Sequence, residues 1–145
     1  MLAEVIAILC AGLFAGAAIY VTLVEHPARL ECGTALAATE FGPSYRRATI
    51  MQVSLAAVGF LAALVAWARG AGPAVLLGGI LLGLVIPFTL IVILPTNKRL
   101  LAPTLDRGSP EAAALLERWG RLHAVRSVAS GLAFAVLAWD LASLG

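Results

Sequence analysis

Charged side chains are scarce in this chain, 12% of its 145 residues, about half the share of a soluble domain. The apolar share is 61%, against roughly 45–50% in soluble proteins. A soluble bundle of this length could not hide so much apolar surface, so a bilayer must solvate it. Lysine and arginine exceed the acids by only two, and no basic face points to nucleic acid. Cysteine is limited to Cys10, inside an apolar run, and Cys32, in a polar stretch. That excludes a disulfide framework, and both are expected as free thiols. The two histidines come without H-x-x-x-H, E-x-x-H or C-x-x-C spacing, so the usual local metal signatures are missing. There is no glycine-rich phosphate loop and no nucleophile elbow. Asp140 lies at the far end of its segment from His123, which argues against a Ser-His-Asp triad. The first apolar run follows Glu4 rather than a basic region, and reads as a retained helix rather than a cleavable signal.

What the chain has is four long apolar runs, and a membrane-spanning helix needs about 20 such residues. The runs predict helices near 3–26, 45–69, 73–96 and 110–144, a single transmembrane domain over residues 1–145. The fourth must begin early. Too few residues separate Arg126 from Asp140 to span, so Trp119, His123 and Arg126 ride into the membrane on its first turns. Ser109-Pro110-Glu111 is a start signal: a capping serine, proline at the first helical position, then an acid beside the positive dipole end. At 1.5 Å per residue that helix is roughly 50 Å long and outruns the hydrocarbon core.

The fold class is therefore all-α, an integral membrane four-helix bundle. Helices two and three share the tight Arg69–Pro73 turn, and the other two connections are long. Nine of ten basic residues, all but Arg69, lie on the long-loop side. The positive-inside rule puts that side in the cytoplasm and both termini outside, in a membrane expected to be the bacterial inner membrane. The first long loop is expected to hold a short amphipathic helix over 34–41, ended by Gly42-Pro43. Gly12/Gly16 and Gly79/Gly83 should let helices approach closely. Pro87 should kink helix three and free a carbonyl near Thr89.

Side chains able to do chemistry gather at the long-loop end. Trp119, His123 and Arg126 are spaced i, i+4, i+7 and share one helix face, and Tyr45, Thr49 and Gln52 repeat that spacing on helix two. His26 closes helix one and Thr96-Asn97 closes helix three. Tyr20, nearly two turns in from His26, could line the same cavity. Each has a bland reading beside the functional one. Trp119 and Tyr45 could be an interfacial aromatic belt, His26 could cap helix one, and His123 could satisfy Asn97. Arg46, Arg47, Lys98, Arg99 and Arg121 read as solvated or headgroup contacts. Arg126 could snorkel, but a charge at that depth more often faces the bundle interior. The halves also echo each other: Glu25-His26-Pro27-Ala28-Arg29-Leu30 ends helix one, and Pro95-Thr96-Asn97-Lys98-Arg99-Leu100 ends helix three. A duplicated hairpin and chance matching of short motifs would each account for this.

Laid out in this way, the chain resembles the small four-helix membrane family that contains the anthrone oxygenases of polyketide biosynthesis. The resemblance rests on Gly12–Tyr20, Glu25–Arg29, Tyr45–Thr49 leading to Gln52, Pro87-Phe88-Thr89, Pro95–Leu100, and Trp119 with His123–Arg126. The Glu25–Arg29 stretch is similar to the bacterial branch. The resemblance implies oxidation of an anthrone-like carbon to a carbonyl by O2, without metal or flavin. Catalytic roles would fall to His123 and His26 as proton acceptors and to Arg126 as partner of an anionic oxygen. Tyr45, Gln52, Thr96, Asn97, Trp119 and Tyr20 would bind the substrate. Expected partners are the lipid bilayer and a lipophilic small molecule, with self-association left open. Two other classes compete: a metal- or haem-binding redox protein using His26 and His123, and a non-catalytic binding or assembly module.

Overall fold

A computed structural model describes residues 1–143. Among these, four helices are long and apolar enough to cross a membrane, and there is no strand. They are α1 (Leu2–Glu31), α2 (Thr34–Ala68), α3 (Pro73–Leu100) and α4 (Pro110–Ser143). Each packs on the next and α4 closes back on α1, with little contact across the diagonal of α1 and α3. The protein is an integral membrane four-helix bundle. The expected end of α4 at Leu144 lies outside the described residues.

The first long connection is not a loop. α1 continues to Glu31, α2 begins at Thr34, and Cys32 and Gly33 alone join them, with Gly33 at φ +94° making the reversal. The short helix expected over 34–41 does not stop at Gly42-Pro43 either, since α2 runs through Pro43 unbroken. The residue before a proline usually leaves the helical region because its Cβ meets the proline ring. Gly42 has no Cβ, and that obstacle is absent. Ala37, Ala38 and Phe41, all buried, then hold this extension against the bundle. The connection 101–109 is a true loop, and Ser109 Oγ accepts from Ala112 N–H at 3.1 Å, ahead of Pro110.

Two turns in the bundle are wider than α-helical. In α1, over Val21–Glu25, the N–H of His26 donates to Val21 O. In α3, over Thr89–Ile93, the N–H of Leu94 donates to Thr89 O, again five residues back. Each turn ends just ahead of an X-Pro pair, His26-Pro27 or Leu94-Pro95. Proline lacks an N–H, and its ring collides with the carbonyl four residues back. Widening the preceding turn by one residue moves that carbonyl aside. The irregularity expected from Pro87 is thus placed by Pro95, while Thr89 Oγ1 donates to Val85 O at 2.7 Å. The two matched helix ends therefore share a backbone feature as well as a proline.

Packing divides the interior in two. Toward the termini, small residues (Ala7, Ala11, Ala18, Ala56, Ala63, Ala133) surround Phe14, Leu82 and Leu137. Gly79 meets Ala63 and Gly83 meets the Phe60 ring, so α2 and α3 approach closely there, and Gly12 meets Phe134. Gly16 borders open space, contrary to the packing role expected of it. Toward the connections, Phe41, Ile93, Leu100, Leu116 and Trp119 form a second apolar cluster. The polar site lies between the two.

Candidate functional site

All four helices line one cavity of about 930 Å³, counting its open mouth. α1 supplies Phe14, Val21 and Arg29, and α2 supplies Phe41, Ser44, Tyr45, Thr49, Gln52 and Val53. Thr89, Leu90 and Asn97 come from α3, and Trp119, His123 and Arg126 from α4. The i, i+4, i+7 triplets of α2 and α4 therefore do meet across one space.

The mouth is not at the polar end. Phe41, Leu100 and Trp119 plug that end, and Leu101 reaches across to Gly42. Beyond Thr89, however, α3 leans on α4 and barely touches α2. Val53 and Leu90, on the two parting helices, line the cavity yet are exposed. The opening is lateral, through the wall that lipid would cover.

Arg126 projects into the cavity rather than snorkelling. Its Nη2 donates to Gln52 Oε1 at 2.7 Å, and its guanidinium carbon lies 5.4 Å from the centre of the Phe14 ring. Its Nε is buried without a partner, and among the described residues no carboxylate pairs with it. Asn97 is 1% exposed, and its Oδ1 is likewise unpartnered. Unpaired polar groups in a low-dielectric interior cost several kcal/mol, so Arg126 favours an anionic oxygen on a ligand, and Asn97 Oδ1, an acceptor, favours a hydroxyl or N–H that donates to it.

His123 is buried and stacks on Trp119, ring centres 4.7 Å apart. Its Nδ1 is 3.1 Å from Thr22 Oγ1, which is 2.7 Å from Ser127 Oγ. The sequence-level alternative of a bond to Asn97 is not what forms. No group among the described residues bonds Nε2, and the ring borders the cavity. Phe41 meets Trp119 edge-on, and Tyr45 stacks on Phe41 at 5.7 Å, giving flat aromatic surfaces beside the polar groups.

His26 is placed differently from expectation. It is buried against Trp119, but it does not line the cavity, and among the described residues neither ring nitrogen has a hydrogen-bond partner. It sits over the backbone of Gly120, where a Cβ would stand 2.6 Å from His26 Nε2. Nor does it cap a helix end, since α1 continues past it. Thr96 is buried outside the cavity lining. Tyr20 is 55% exposed and faces away. Two residues from buried Ala18, it points about 200° around the helix.

Sequence reasoning missed Arg29, Thr22 and Ser127. Arg29 is 7% exposed, borders the cavity and pairs with Glu25 and with Glu40, its Nε 2.9 Å from Glu40 Oε2. Its guanidinium lies over Trp119 at 5.9 Å, and Ser44 Oγ donates to Glu25 Oε1 at 2.9 Å. The i, i+4 spacing of Glu25 and Arg29 was the available signal. For Ser127 it was the i, i+4 spacing from His123, and for Thr22, whose partners are more than a hundred residues away in sequence, there was none. Cys10 and Cys32 are both free. Among the described residues no three His, Cys, Asp or Glu side chains gather as metal ligands would.

A four-helix membrane protein enclosing an apolar cavity with a buried cation and a histidine is the class these features define. The family model described as anthrone oxygenase matches residues 41–136. That is about two thirds of the chain, and it spans Tyr45, Gln52, Thr96, Asn97, Trp119, His123 and Arg126. The chain belongs to the anthrone oxygenase family. Searches of curated proteins and of solved structures gave no match.

Proposed function

We propose that the protein is a membrane-embedded, cofactor-independent oxygenase that converts the CH₂ of a lipophilic, anthrone-like aromatic to a carbonyl. Family membership supports the reaction class. The observation that carries it to this cavity is the meeting, among aromatic walls, of His123 and Arg126, the one with Nε2 unpartnered and the other with no carboxylate among the described residues.

In this reading the substrate leaves the bilayer through the gap between α2 and α3 and lies against Trp119 and Tyr45. Its ring oxygen faces Arg126, held by Gln52, and a ring hydroxyl donates to Asn97 Oδ1. His123 Nε2 removes the acidic benzylic proton, and the electron pair spreads onto the oxygen as a phenolate, which the guanidinium stabilises. The electron-rich anion passes one electron to O2. Recombination of the radical pair forms the C–O bond of a peroxide, and the imidazolium returns its proton. Cleavage of the O–O bond with loss of the second benzylic proton releases water and leaves the quinone carbonyl. One CH₂ and one O2 give one C=O and one H₂O. The long connection and the Cys32-Gly33 reversal would lie in the cytoplasm of a bacterial inner membrane, with the termini outside.

The test is turnover of anthrone by the detergent-solubilised protein under isotopically labelled oxygen. One labelled atom should enter each quinone molecule, at the newly formed carbonyl, and His123→Ala should slow the reaction by roughly 10²–10⁴-fold, the usual contribution of a positioned base. A rate no higher than without protein, with anthrone still bound, would favour a non-catalytic binding protein. Haem or stoichiometric metal in the purified protein, lost in His26→Ala or His123→Ala, would favour the redox reading.

A further inference from the structure

Thr22, Ser127 and the carbonyl of Ala18 form a chain of hydrogen bonds that ends on His123, and the proton count along it is determinate. Ser127 Oγ has three near neighbours: Ala18 O at 2.9 Å, His123 O at 3.3 Å and Thr22 Oγ1 at 2.7 Å. The two carbonyls can only accept, and Ser127 has a single hydroxyl proton. Pointing that proton at Thr22 would leave the lone pairs of Ser127 facing those of Ala18 O at 2.9 Å, which is repulsive. The proton therefore belongs on a carbonyl, and Ser127 accepts from Thr22. The one proton of Thr22 is then spent, so Thr22 Oγ1 must accept from Nδ1–H of His123 at 3.1 Å.

Building on the oxygenase reading, we infer that Thr22 and Ser127 are positioning residues that hold neutral His123 as the Nδ1–H tautomer, leaving the Nε2 lone pair as the base in the cavity. The ring is fixed from two sides: Trp119 stacks on it and Thr22 takes Nδ1, while Ser127, one turn along the same helix, holds Thr22. The fold supplies the parts from two places. Ser127 follows His123 by four residues and shares its face of α4. Thr22 lies in the widened turn Val21–Glu25 that precedes Pro27. The backbone accommodation of a proline thus also sets the hydroxyl that orients the base. The wide turn in α3 carries Leu90 where that in α1 carries Thr22, so one of the two turns offers a hydroxyl at this position. When Nε2 takes the substrate proton, the positive charge forms on a ring already hydrogen-bonded at Nδ1, and no group has to reorient.

Nitrogen NMR of histidine-labelled protein in lipid bilayers reads the tautomer directly, without turnover. His26→Ala leaves His123 as the one remaining histidine and assigns its signals. The expected result is a protonated Nδ1 and an unprotonated Nε2. Ser127→Ala should return the Thr22 proton to Nδ1 and shift the ring toward Nε2–H. Thr22→Val should remove the Nδ1–H bond and leave a mixture, and Thr22→Ser should restore the original form. In anthrone turnover, Thr22→Val should lower kcat by roughly 10²-fold, the low end of a general-base contribution, with KM little changed. A protonated Nε2 in the parent protein, or a tautomer unmoved by both Ser127→Ala and Thr22→Val, overturns the inference. If the tautomer behaves as expected but the parent protein oxidises anthrone no faster than a protein-free control, the oxygenase reading fails and the relay stands.

Discussion

Replacing Arg126 by methionine separates a functional charge from a structural one. The side chain keeps a similar length and loses its charge. On the fold, the costs are the bond to Gln52 Oε1, 2.7 Å in the parent, and the contact with Phe14. Orphaning a buried acceptor such as Gln52 costs about 1–3 kcal/mol. Against this, the guanidinium has no carboxylate partner among the described residues, and desolvating an unpaired charge costs several kcal/mol. The two effects oppose, so thermal unfolding in detergent should change by no more than about 2 kcal/mol. On the ligand, a charge-assisted bond to an anionic oxygen is worth roughly 1.5–3 kcal/mol, about 10- to 150-fold in affinity. Where charge develops in the transition state, losing one such donor costs about 10²–10³-fold in kcat. Oxygen uptake and quinone absorbance with anthrone measure the second effect, and differential scanning fluorimetry measures the first. A sharp loss of stability with turnover intact in the remaining folded protein would refute the reasoning, and Arg126 would be scaffolding.

Three other perturbations test separate parts of the structure. Gly120→Ala places a Cβ 2.6 Å from His26 Nε2, and overpacking of this kind should destabilise the bundle by about 1–3 kcal/mol, seen as a lower melting temperature; an unchanged value would mean that His26 is not seated there. Val53→Trp or Leu90→Trp should narrow the lateral gap and raise KM for anthrone while sparing melting temperature, whereas unchanged kinetics in both would place the route elsewhere. Cysteines engineered at residues 3 and 107, in a background lacking Cys10 and Cys32, should be labelled by an impermeant reagent from outside at 3 and not at 107, and the reverse pattern sinks the proposed orientation.

The sequence by itself determined the environment, the four spans and the level of the site. Those follow from local properties: uncharged runs long enough for a bilayer, a capping serine before Pro110, and the helical spacing that puts Trp119, His123 and Arg126 on one face. It also held the matched helix ends around Pro27 and Pro95. Only the tertiary structure decided which of those residues share a cavity. Tyr20 and Thr96 have the right chemistry and approximate depth, but rotation about a helix axis is set by packing against neighbours, and a shift of one or two residues turns a side chain away. His26 sits behind Trp119 because Gly120 leaves a place for it, a fact about α4 that the sequence of α1 cannot contain. The passage of α2 through Pro43 depends on burial of Phe41 as much as on Gly42. The hydroxyls that fix His123 come from helices joined only through the closed bundle, and so does the divergence of α2 and α3 that turns the mouth toward lipid. Spans are written in composition; orientation, tautomer and access arise only when the helices meet.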